Sequence, residues 1–162
     1  MYRTCIVVAD AARARLFTFE RTAEAEGLAE ELIERRDLVN PARRLRSSKL
    51  FSDSRPGVSR MGKLQYAFDD HRDAHIDAFD AEFSRMIVGE VAAMMRATHA
   101  KRLILCASPH MLGALRDASS GVGGDITIDE MPRNLVKLSP SRLRDQLAEY
   151  RLLPERPARQ QV

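Results

Sequence analysis

The sequence predicts one α/β domain on a mixed sheet: a three-strand antiparallel meander followed by βαβα units. Three observations carry that prediction. Short β-branched and alternating runs fill the first forty residues, and from about Asp70 the apolar period changes to that of a helix. Two Ser-Pro pairs, Ser108-Pro109 and Ser139-Pro140, then open helices after apolar or turn-rich stretches. A length of 162 residues is enough for one substantial core, and 44% apolar with 30% charged residues is globular composition.

Taken in order, residues 3–9 (RTCIVVA) are a β-branched run expected to be a buried strand. Arg13 to Glu20 alternates around Leu16, Phe17 and Phe19 and predicts a second strand, with a polar turn over 21–27. Leu28 to Val39 contains good helix formers, yet two strands and a turn before it make a third, antiparallel strand the natural continuation. Asn40-Pro41 stops it. Residues 41–68 sustain neither period and read as a long loop, of the kind that is usually functional or disordered. Ile76, Phe79, Phe83, Ile87, Val91, Met94 and Met95 recur at steps of three and four, which predicts a helix over 70–98.

Lys101 to Ala107 (KRLILCA) is a continuous apolar run, as a buried parallel strand requires. Ser108 and Pro109 suit the N-cap and first turn of a helix to about Asp117, and SSGVGG at 119–124 is a turn. Ile126 to Met131 predicts a last strand and Ser139-Pro140 a last helix to about Tyr150. The single domain is thus expected over 1–150, with a flexible tail over 151–162.

No apolar run approaches the length of a membrane helix, and the apolar start of the chain is too short for a signal peptide. A cytoplasmic location is expected, without a membrane partner. Cys5 and Cys106 lie in apolar runs and read as small buried hydrophobes. The net charge of +3 hides a marked asymmetry. From Pro41 to Lys63, Arg43, Arg44, Arg46, Lys49, Arg55, Arg60 and Lys63 face the single acid Asp53, a local excess of +6. From Asp69 to Glu90 seven acids face two arginines, a local −5.

The basic loop is the first candidate site, because Lys and Arg among Ser and Gly neutralise phosphates without a fixed backbone shape. Phe51 and Tyr66 are aromatics near it, and the competing expectation is a solvated loop docked on the acidic helix. Asp10 ends the first strand, where a metal-dependent nuclease would place an acid; the other expectation is a turn cap. The matching end of the central parallel strand, Cys106-Ala107-Ser108, brings no second acid. Ser108 and His110 lie where α/β sheets bind small anions, although helix capping alone accounts for Ser-Pro. His71 and His75 share a helical face without a third ligand in view, so no metal and no cofactor is expected. Gly121 to Asp125 is too short for a phosphate-loop fingerprint.

Several segments together resemble the bacterial host-attachment protein family: VADAARARLF at 8–17, DLVNP at 37–41 and SDSRPG at 52–57. HRDAHIDAFDAEF at 71–83, RLILCASPHMLGALR at 102–116 and Asp129-Glu130 through Leu143 continue the set. Their order matches over about residues 2–148, and the ordered set is specific where no single segment is. That family is similar in fold to the central domain of the eukaryotic and archaeal class-1 release factors and of pelota. The resemblance implies a ribonuclease-H-like mixed sheet, with the basic loop in the place of the Gly-Gly-Gln tip that triggers peptidyl-tRNA hydrolysis. Here Gln65 follows Lys63-Leu64, and Gly57 and Gly62 are isolated, so the hydrolytic motif has no counterpart.

The resulting expectation is a non-catalytic, translation-associated protein whose basic loop contacts the ribosome or RNA. Two alternatives stand beside it: a metal-dependent RNA hydrolase acting through Asp10, and a protein-interaction module for host attachment. The sequence does not name the oligomeric state.

Overall fold

The computed structural model describes residues 2–43 and 62–158, with the side chains of 62–77 outside that description. Its elements are β1 (Tyr2–Ala9), β2 (Arg13–Glu24), β3 (Gly27–Val39), α1 (Gly62–Thr98), β4 (Arg102–Ala107), α2 (Pro109–Ser119), β5 (Thr127–Met131) and α3 (Pro140–Glu149). They form one five-stranded mixed sheet in the order β3-β2-β1-β4-β5. β1 pairs antiparallel with β2, and β2 with β3, whereas β4 runs parallel to both β1 and β5. The meander followed by parallel units is therefore the observed architecture.

Alternation along the central strands sorts side chains onto two faces. Cys5, Val7 and Ala9 of β1, with Leu103, Leu105 and Ala107 of β4, meet Phe83, Ile87, Val91 and Met95 of α1 and Leu115 of α2. Ile6, Val8, Ile104 and Cys106 face the other way, against Phe17, Phe19, Leu143 and Leu147. A strand covered by helices on both faces must be apolar at every position, which is why TCIVVA and LILCA carry no alternation.

β2 runs to Glu24 rather than ending at Glu20, and the turn shrinks to Ala25 and Glu26, with Gly27 at φ 134°. Its polar end stays in the sheet because Arg21 pairs across the strands with Glu30, and Thr22 with Ala29. β3 keeps its helix formers in a strand by the same pairing, with a bulge opposite Leu16 and Phe17.

One boundary differs more substantially. α1 begins at Gly62, so 62–68, expected as loop, are helix. Leu64, Gln65 and Ala67 are good helix formers, and a helix nucleated by its packed later turns extends at little cost. The described part of the tail, residues 151–158, makes contacts with the domain. Leu153 is buried against the second face, Pro154 O accepts from Arg144, and Arg156 pairs with Asp145 at 2.8 Å. Residues 159–162 lie outside the described residues. No described helix is long and apolar enough to cross a membrane.

Candidate functional site

β1 leaves the sheet toward β2, while β4 leaves through α2 toward β5 on the opposite side. The chain thus diverges between the carboxyl ends of β1 and β4, the place where open α/β sheets leave a crevice. Asp10, Asn40, Arg43, Asp80, Ser108 and His110 belong to the elements that converge on this end.

Asp10 is committed to the β1–β2 turn. Its Oδ1 accepts from the amides of Ala12 (2.8 Å) and Arg13 (2.7 Å), and its own amide donates to Arg13 O. The turn carries the exit of β3. Asn40, 2% exposed, donates from its amide to Ala12 O (2.8 Å) and from Nδ2 to Ala11 O (2.9 Å). Its Oδ1 accepts from Ala42 N, so Asn-Pro both ends the strand and caps the helical turn over 41–43. Alongside, Arg13 grips Asp37 with two hydrogen bonds, which hold that carboxyl below its usual range.

The least expected residue is Asp80. It is 1% exposed on α1, and its carboxylate receives Arg43 Nη2 at 3.2 Å and lies 3.5 Å from His110 Nε2. Three elements, the β3 exit, α1 and the start of α2, meet on this one acid. A signal for it existed: position 80 falls four after Ile76 and three before Phe83, inside the apolar stripe rather than on the acidic face. Ser84, also fully buried, continues the polar interruption with Oγ 3.7 Å from Met111 Sδ.

Ser108 stands at the N-cap position of α2, but its hydroxyl makes no capping hydrogen bond, contrary to the expected role. Its carbonyl accepts from Leu112 N, and Pro109 opens the helix. Ser139 does cap α3, accepting from Arg142 N. His110 is directed at Asp80, so the two small-anion candidates lie beside a buried carboxylate.

Of the basic candidates, Arg43 is at the stem; Arg44, Arg46, Lys49, Arg55 and Arg60 lie outside the described residues. Lys63 is in the first turn of α1 with its side chain outside the description, as are the side chains of His71 and His75. Both cysteines are buried and unpaired, and burial pushes the Cys106 thiol up to about 12. Among the described residues no three of His, Cys, Asp and Glu gather where they could hold a metal ion.

A family model described as "Protein required for attachment to host cells" matches residues 5–147. No curated protein matches. Among solved structures, the Ppx/GppA phosphatase of Aquifex aeolicus (the type II variant) is similar over 81% of this chain at 12% identity, with a TM-score of 0.41. The matched region is 36% of that longer protein.

Proposed function

The chain belongs to the family of proteins required for attachment to host cells, and we propose that it is a non-catalytic binding protein whose basic segment contacts RNA, the ribosome being the first place to look. The carrying observation is the +6 excess between Pro41 and Lys63, set between a pinned strand exit and a long helix. Asn40 and the Arg43–Asp80 pair fix the stem from which that segment leaves the sheet. Six cations remain beyond Arg43, whose charge Asp80 already meets. Strand order β3-β2-β1-β4-β5 with an antiparallel β2 supports a ribonuclease-H-like arrangement. A basic segment after the third strand supports the likeness to the release-factor central domain.

A hydrolase reading has less behind it. One oxygen of Asp10 is used by the turn, and the described residues bring no second and third carboxylate to it.

RNA binding by six cations predicts a salt dependence of log K on log salt of about −4 for a single strand. Replacing Arg44, Arg46, Arg55 and Arg60 with Ser reduces that slope to roughly −1 and removes low-salt co-sedimentation with ribosomes. Co-sedimentation and slope unchanged in that variant would reject the reading. The family description favours a second reading, a protein-interaction module for attachment. Capture of an acidic protein partner that survives RNase and needs the same four arginines would put this second reading in place of the first.

A further inference from the structure

At the opposite end of the sheet lies a groove that the proposed function does not use. The C-terminus of α1, the start of β4 and the 121–126 turn enclose about 430 Å³ there. Its floor is apolar: Met95 and Ala100 are buried, and Val122 and Ile126 pack against the same core. Its rim is cationic. Arg96, His99 and Lys101 are all exposed on it, and none of the three side chains has an ion pair or hydrogen bond among the described residues. The neighbouring cations are already engaged, Arg3 with Glu20 and Thr98 O, Arg102 with Asp129. A second hollow of about 350 Å³ shares His99 and Lys101, so these two side chains sit on the ridge between them. Asp125 is the one acid on the main groove's wall among the described residues.

His99 supplies an independent observation. It has φ 57°, in the left-handed region, directly after α1. Ala100 N closes the helix end onto Met95 O at 3.2 Å, the arrangement in which glycine normally takes the left-handed place. A histidine there carries a conformational cost that a glycine would not, as does Arg151, which ends α3 in the same way at φ 58°. The opposite wall has glycines at 121, 123 and 124, with Gly124 at φ 104° and open space where each Cβ would stand, so a ligand can approach the backbone closely.

We infer that this groove binds a small organic phosphate of mononucleotide size, its phosphoryl group on Arg96, His99 and Lys101 and its apolar body on the floor. The volume lies within the range of small-molecule sites, and unpaired cations above an apolar floor match a ligand charged at one end only. Sugar hydroxyls are suitable donors to Asp125. The inference goes beyond the RNA reading and does not depend on it, because the groove shares no residue with the basic segment.

Calorimetric titration of the full chain with AMP, GMP, CMP and UMP, and separately with inorganic phosphate, tests it at constant ionic strength. The expected result is saturable one-site binding of at least one nucleotide, with inorganic phosphate at least tenfold weaker. Arg96→Ser with Lys101→Ser should weaken the nucleotide at least tenfold, both side chains being exposed and outside the core. His99→Gly should weaken it too, while the melting temperature stays level or rises, which separates a ligand role from a structural one. Replacing Arg44, Arg46, Arg55 and Arg60 with Ser should leave nucleotide affinity unchanged. Three results would overturn the inference: no saturable binding by any of the four nucleotides, affinity untouched by the Arg96/Lys101 pair, or inorganic phosphate binding as tightly as the nucleotides.

Discussion

Two arginines on the second face of the sheet illustrate how single residues hold this fold. Arg15, 8% exposed, donates to both oxygens of Glu34 and to the carbonyls of Val136 and Leu138, with its guanidinium 5.1 Å from the Phe17 ring. Arg144, 3% exposed, repeats the pattern from α3, with Glu30, Pro154 O and the Phe19 ring. A planar fork that stacks and donates in several directions is what arginine offers and lysine lacks. Replacing Arg15 with Met strands two carbonyls and a carboxylate. Urea unfolding of Arg15→Met should show a loss of about 3 kcal/mol, and Arg15→Lys should recover less than half of it. A loss under about 1 kcal/mol would mean that water replaces the guanidinium freely.

Among elements, α1 does two things at once. Its later turns supply the apolar stripe that covers the first face, and Asp80 breaks that stripe to receive Arg43 and approach His110. The start of the basic segment is thereby tied to the helix that follows it. A double-mutant cycle of Asp80→Ala and Arg43→Ala should give a coupling energy of about 1 kcal/mol, because one partner is buried and the other is one-third exposed. Additivity within about 0.3 kcal/mol would remove the clasp from the account. Much of α1 was legible beforehand, since its 3.6-residue period comes from one face packing on a sheet. Its start was not, because helix propagation over 62–69 answers to cooperativity rather than to an apolar stripe. Asp80 was legible only by position, as a carboxylate on the wrong face.

For the whole molecule, acid sensitivity follows from arginine-held carboxylates spread across the sheet. Hydrogen bonds from Arg15 lower Glu34, those from Arg13 lower Asp37 and those from Arg116 lower Glu130. Burial works to raise Glu30, yet hydrogen bonds from Arg144 and Arg21 outweigh it and the net direction is down. A carboxyl lowered on folding adds stability that is fully present above its unfolded value, and that stability is lost as pH falls through the folded value. The melting temperature should therefore hold from pH 7 to about 5 and drop progressively below about 4. A flat profile down to pH 3 would show that these pairs exchange with solvent at no net gain.

By itself, the sequence determined the order of the elements, the two-faced burial of β1 and β4, the place of the basic segment and the family. Each of these is written in local period, composition or ordered motif. Tertiary structure decided the rest: that 21–24 stay in the sheet, that the tail docks, and that Asp10 belongs to a turn. It also decided that Asp80 gathers Arg43 and His110 at one end of the sheet, while Arg96, His99 and Lys101 line a groove at the other. The physical reason is common to all five. They depend on partners far apart in the chain, and a hydrogen bond or an unpaired charge acquires its meaning only from what the fold brings beside it.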